Sequence, residues 1–182
     1  MESGLEHKFC RFDADQMVVE GLRIEGYASL FGLVDQGGDV VASGAYGASL
    51  AALAGAGRGV KMLWQHDPAQ PIGVWDAVQE DARGLHVRGR LLDSVDKGRE
   101  AAALIAAGAI DGLSIGYRTK RATKGADGRR VLTELELWEV SLVTFPMLPS
   151  ARVAAKSDDA AGDPWRDMAA LFEAARCEMA QD

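Results

Sequence analysis

Ile72-Gly73-Val74-Trp75-Asp76-Ala77-Val78-Gln79 and Leu85-His86-Val87-Arg88-Gly89-Arg90-Leu91-Leu92 flank the polar run Glu80-Asp81-Ala82-Arg83-Gly84. Two apolar stretches joined by a short turn-forming segment read as an antiparallel hairpin. The same reading extends outward on both sides. Residues 8–12 and 22–31 read as strands, the second with apolar residues at alternate positions over part of its length. Residues 60–64 read as a buried strand that delivers His66 at its end. Residues 113–119 and 131–145 add two strands, separated by Gly125-Ala126-Asp127-Gly128 and ended by Pro146 and Pro149. Helices are fewer: an Ala-rich segment at 44–54, weakened by Gly47, and a helix at 95–107 with Ser94 as N-cap and Gly108 as its stop. Residues 32–44 read as a Gly- and Asp-rich loop. The balance predicts a mainly β (α+β) chain, a mostly antiparallel β-barrel or sheet with peripheral helices, in preference to a βαβ array.

The chain has 182 residues, 48% hydrophobic and 26% charged, which suits a soluble domain with a real core. A net charge of -7 argues against a nucleic-acid partner, since phosphate affinity comes from clustered Lys and Arg. The one basic stretch, 118–124, reads as a solvated hairpin end. Cys10 and Cys177 lie too far apart in sequence and context for a framework disulfide or a metal-ligand spacing. Neither a signal peptide nor a membrane span is evident, so no membrane partner is expected. Residues 1–153 read as one domain, 154–163 as a linker and 164–182 as a C-terminal amphipathic helix. Asp163-Pro164 opens that helix, and Trp165, Met168, Phe172, Ala175 and Met179 form its apolar stripe. Docking on its own domain and pairing with another copy or a scaffold both fit the stripe.

Three strings hold groups with chemical potential: Leu63-Trp64-Gln65-His66-Asp67, Gly112-Leu113-Ser114-Ile115-Gly116-Tyr117 and Trp138-Glu139-Val140-Ser141-Leu142-Val143. A serine hydroxyl is a weak nucleophile until an imidazole takes its proton, and the imidazole works best when an acceptor fixes its tautomer. Alternation along 134–139 places Glu139 on the face of Leu135 and Leu137, where a carboxylate needs a partner. The plainer readings are a histidine capping a strand end, a serine in a cramped strand position, and a bulge that turns Glu139 outward. Asp67 is the rival acid, although its place next to His66 should point it away. His86 shares a strand face with Arg88 and Arg90 and reads as a surface residue; His7 carries no signal beyond charge.

From Arg23 to Val153 the chain resembles the prohead serine proteases of tailed phages. The resemblance rests on Gly26-Tyr27-Ala28-Ser29-Leu30-Phe31, Leu-Trp-Gln-His-Asp, Pro71-Ile72-Gly73, Gly-Leu-Ser-Ile-Gly-Tyr and Glu-Val-Ser-Leu-Val-Thr-Phe-Pro, in that order. It implies a barrel similar to the herpesvirus assembly protease, with Ser114 as nucleophile, His66 as general base and Glu139 as the third, acidic member. The backbone amides of Ile115 and Gly116 are the candidate oxyanion donors, and Arg152 a weaker candidate for an oxyanion role through a held water. It further implies a serine endopeptidase that cuts scaffold protein or the scaffold-like segment of the major capsid protein, and often itself, inside an assembling procapsid in the host cytoplasm. Neither a metal nor an organic cofactor is expected. Oligomeric state stays open, although the herpesvirus relatives pair to become active, so a homo-oligomer is compatible. From another class stands a catalytically silent scaffold or assembly component that keeps the protease fold. An esterase is disfavoured by the lack of a Gly-x-Ser-x-Gly elbow.

Overall fold

The computed structural model describes residues 6–10, 17–20, 22–35 and 37–144. Among these residues nine strands and two helices follow one another as β1 (Glu6–Cys10), β2 (Met17–Glu20), β3 (Arg23–Leu30), β4 (Asp39–Val41), α1 (Gly47–Gly55), β5 (Lys61–Trp64), β6 (Asp67–Glu80), β7 (Gly84–Leu91), α2 (Asp96–Ala106), β8 (Gly112–Lys124) and β9 (Arg130–Val143). The expected linker, C-terminal helix, Pro146, Pro149, Arg152 and Cys177 lie outside the described residues.

The strands form one sheet in the order β1-β8-β9-β5-β6-β7-β3-β2, with β4 also on β9. Its two ends curl toward each other, so that β3 lies against β1 and β8 across the interior and the sheet makes a half-barrel. The expectation of a mainly β fold with peripheral helices holds, and so does the hairpin at its centre: β6 and β7 pair antiparallel from Gly73↔Leu91 to Glu80↔Leu85.

Pairing is not antiparallel throughout. β4 and β5 both run parallel to β9 along the same edge, β4 at its start (Asp39↔Arg130) and β5 at its end (Lys61↔Glu139). The chain between them departs as α1 and returns, as a parallel crossover requires. β4 falls inside the stretch read as a loop, because three residues among Gly and Asp carry no periodicity and their strand partner lies about 90 residues away.

Alternating side chains of β3, β7, β8 and β9 fill the interior. Ile24, Ala28, Leu85, Val87, Leu91, Leu113, Ile115, Leu137 and Val140 are all at most 2% exposed. Helix α2 closes one side against β6 and β7. Its Gly98 lies so near the strand ends that a Cβ would stand 2.8 Å from the Ile72 carbonyl oxygen and collide with that of Leu92. Ser94 does not cap this helix: the N-cap is Val95, which lacks a side chain able to bond the first amides. Asp96 in the first turn offers a favourable charge for the helix dipole in its place.

Candidate functional site

β5 and β6 are joined by only two residues. Trp64 pairs with Asp67, and Gln65 and His66 between them have φ of 51° and 63°. Two successive left-handed residues are what a two-residue hairpin turn of the right twist demands, ordinarily supplied by Asn-Gly. Here Gln and His supply them, at a backbone cost of order 1–3 kcal/mol each. Gln65 ties the turn to the end of β9 by three bonds. The Gln65 N–H donates to the Leu142 carbonyl (3.0 Å), the Gln65 side-chain amide donates to Thr144 Oγ1 (2.5 Å), and the Thr144 N–H donates to Gln65 Oε1 (3.4 Å). His66 therefore belongs to a tight turn that swings its ring back over the sheet, where a plain strand end was expected.

β9 itself changes phase next to this turn. Gly116 pairs with Glu139, but Tyr117 pairs with Leu137, so Trp138 is an extra residue opposite the β8 ladder. Up to the bulge, Leu135 and Leu137 enter the core; beyond it, Val140 and Leu142 do. Glu139 is thus not on the face of the two leucines, as strict alternation along β9 suggested. The bulge transfers it to the opposite face without exposing it to water: Glu139 is 4% exposed, while Trp138 is turned out at 39% beneath the Arg118 guanidinium.

On that second face four positions meet. Ser114 and Gly116 of β8 stand opposite Ser141 and Glu139 of β9, and directly opposed residues of an antiparallel pair share a face. Glu139 Oε1 lies 2.6 Å from His66 Nδ1. Its Oε2 accepts the Ser141 hydroxyl at 2.5 Å, and the same hydroxyl accepts the His66 backbone N–H at 3.1 Å. Gly116 leaves the room that the carboxylate occupies, since a Cβ there would stand 2.9 Å from Glu139 Cδ and closer still to Oε1. A carboxylate facing Nδ1 puts the imidazole proton there, which leaves Nε2 as the basic nitrogen of the neutral ring. Such a ring can take a proton from a nearby hydroxyl, the first requirement of nucleophilic catalysis by serine.

His66, Glu139 and the β8–β9 ladder carrying Ser114 are thus assembled on one face. Ser114 is fully enclosed, in register with Ser141 on one side and with Phe9 on the other. Ile115 and Gly116, whose amides were the candidate oxyanion donors, also have strand partners on both sides. Either amide reaches a substrate oxygen only by exchanging a ladder partner for it.

Asp67 points away, accepting the Ala69 N–H (2.8 Å) and the Gln70 amide (2.6 Å), bonds that hold its carboxyl below the ordinary value. His86 is on β7, half-buried against the Tyr27 ring and 3.5 Å from Glu25. Two contributors escaped the sequence reading. Ser141 could have been found from Glu-x-Ser spacing, which puts both side chains on one strand face. The Gln65–Thr144 tie left no signal at all.

Among the described residues no cluster of three His, Cys, Asp or Glu side chains could hold a metal ion, and no helix is long and apolar enough to cross a membrane. A cleft of about 550 Å³ opens between α1 and β9, lined by Ala48, Ala52, Leu53, Leu135, Lys61 and Trp138 among others. Lys61 is the register partner of Glu139 and Trp138 precedes it in the chain, so the cleft borders the site.

Comparison with known proteins gives three results. The model of the caudovirus prohead serine protease family matches residues 12–163. The prohead protease of Enterobacteria phage HK97 is 35% identical over 134 residues, covering 72% of this chain and 58% of that protein. The chain therefore spans little more than half the length of this relative. The structure of the bacteriophage T4 capsid assembly protease superposes with a TM-score of 0.64 over 80% of this chain and all of that one, at 18% identity, a likeness of fold.

Proposed function

The chain belongs to the caudovirus prohead serine protease family, and we propose that it is a serine endopeptidase of capsid maturation with Ser114, His66 and Glu139 as its working groups. The observation that carries this reading is the 2.6 Å contact between Glu139 and His66 Nδ1 on the face where Ser114 stands. Ser114 Oγ attacks a peptide carbonyl as its proton passes to His66 Nε2, and the new C–O bond forms a tetrahedral intermediate. Collapse breaks the C–N bond and the leaving amine takes the proton from the imidazole. Water then repeats the sequence on the acyl-enzyme, releasing the acid and restoring Ser114. Glu139 stays ionised and stabilises the imidazolium. An amide of Ile115 or Gly116, released from its ladder, would receive the oxyanion.

The cleft beside Lys61 and Trp138 is large enough for a few side chains of an extended peptide. Scaffold protein, or the scaffold-like segment of the major capsid protein, is the substrate that fits this family, cut inside an assembling procapsid in the host cytoplasm. The full enclosure of Ser114 favours a second reading, an assembly component that keeps the fold without turnover. One experiment separates them. A fluorophosphonate should modify the protein at Ser114, seen by intact mass and peptide mapping. Ser114→Ala or His66→Ala should abolish both labelling and scaffold cleavage while the circular dichroism stays unchanged. Processing by purified Ser114→Ala protein would refute the nucleophile, and silence of the wild type toward phosphonate and scaffold alike would favour the structural reading.

A further inference from the structure

Two serines face each other across the β8–β9 ladder at the site, Ser114 and Ser141, both 0% exposed. The bonds of Ser141 define its place. The Ser141 hydroxyl hydrogen goes to Glu139 Oε2 (2.5 Å), and its oxygen receives the His66 backbone N–H (3.1 Å). With its proton committed to a carboxylate, and lying on the Nδ1 side of the relay, Ser141 has nothing to give to Nε2. It is disqualified as the nucleophile by the bonds that make it useful elsewhere.

What those bonds do follows from the two problems this corner of the fold presents. A carboxylate that is 4% exposed must have its oxygens satisfied, and His66 fills only one of them. The imidazole, in turn, hangs from a backbone at φ 63°, in a turn without glycine, where a small relaxation would swing the ring. Ser141 answers both at once. Its donation fills the second carboxylate oxygen, and its acceptance of the His66 N–H pins the residue that bears the ring. The three groups close a cycle of ring, carboxylate, hydroxyl and backbone amide, with Glu139 and Ser141 contributed by one strand two residues apart.

We propose that Ser141 is a positioning residue of the relay, fixing Glu139 and the His66 backbone together so that the imidazole keeps its aim. The proposal rests on the reading of His66 as general base, and the test keeps the two apart. Phosphonate labelling rates, peptide cleavage and the low-field proton spectrum are to be measured for the wild type and for Ser114→Ala, Ser141→Ala, Ser141→Thr, Glu139→Gln and the Glu139→Gln/Ser141→Ala double variant. Ser141→Ala should slow labelling and kcat about 10²-fold, the scale of a misaimed catalytic group, with KM little changed. Ser141→Thr, which keeps the hydroxyl, should recover most of the loss. The double variant should be slower than Glu139→Gln alone by far less than the loss in Ser141→Ala, because without the carboxylate only the hold on the His66 backbone amide is left for Ser141 to lose. The low-field His66 Nδ1 proton should shift upfield in Ser141→Ala, a signal that does not need turnover. Labelling of Ser114→Ala as fast as wild type would overturn the nucleophile and leave the Ser141 assignment to the proton signal. An unmoved Nδ1 resonance, a wild-type rate in Ser141→Ala, or losses that multiply in the double variant would each overturn the positioning role. Should Ser141→Thr fail to fold, the alanine variant and the cycle decide alone.

Discussion

Gly116→Ala is a substitution of one methyl group that should remove a chemistry while sparing a fold. The added Cβ would stand 2.9 Å from Glu139 Cδ and 3.0 Å from Cγ, with Oε1 nearer still. Carbon atoms rest at about 3.5–4.0 Å, so the carboxylate must retreat by roughly 1 Å. It has nowhere to go without loss, since one oxygen is 2.6 Å from His66 Nδ1 and the other 2.5 Å from Ser141 Oγ. A displacement of that size at an orienting group costs about 10²-fold in rate, and complete loss of the orienting acid about 10⁴-fold. The expected fall in Ser114 labelling by a fluorophosphonate lies between those limits. Overpacking should cost about 1–3 kcal/mol of stability, short of unfolding a sound domain. The assay is the pseudo-first-order labelling rate by intact mass at a temperature where both proteins are folded by circular dichroism. Removing the carboxylate as well, in Gly116→Ala/Glu139→Ala, should add no further loss over Glu139→Ala alone. A folded Gly116→Ala protein that labels Ser114 within about threefold of wild type would refute the claim that this glycine exists to seat the carboxylate.

Three further outcomes follow from other parts of the fold. Gln65→Val puts a β-branched residue at φ 51° and should destabilise by about 1–3 kcal/mol in urea melts, whereas Gln65→Asn, at ease in that conformation, should stay within about 0.5 kcal/mol. Gly98→Ala drives a methyl into the Leu92 and Ile72 carbonyls and should cost about 1–3 kcal/mol by the same measurement, with α2 losing its seat on β6. Burial alone would raise the Glu6 carboxyl, but hydrogen bonds from Thr119 and Arg130 outweigh it and hold the group below its ordinary 4.5. Its contribution is therefore whole above about pH 4.5 and fades as pH falls through the lower folded value. Comparing urea midpoints at pH 6 and pH 3, Glu6→Gln should lose less stability on acidification than wild type; an equal loss in both would contradict the assignment.

Much of the fold was legible because its strands are long and either alternate or run apolar: β6, β7, β8 and β9 were all found with ends off by a few residues. What escaped was non-local or off the common pattern. β4 is too short to show a period, and its partner is a distant parallel strand. The Gln65-His66 turn lacks the Asn or Gly that would announce it, so β6 was expected five residues late. The case of Glu139 is the most instructive. It was singled out because an acid among leucines needs a partner, and it has one, yet the leucines lie on the other face. The bulge at Trp138 is a property of pairing between two strands, and one strand's sequence carries no mark of it.

A β-strand ordinarily has to divide its residues between oil and water in strict rotation. By slipping a single residue at Trp138, β9 trades sides halfway along, so its first half lends leucines to the interior and its second half lends an acid and a hydroxyl to the opposite surface. Pairing here matters more than residue type: were Trp138 to take a regular place in the ladder, strict alternation would send Glu139 and Ser141 inward and push Val140 and Leu142 out, disarming the site and opening the interior in a single step.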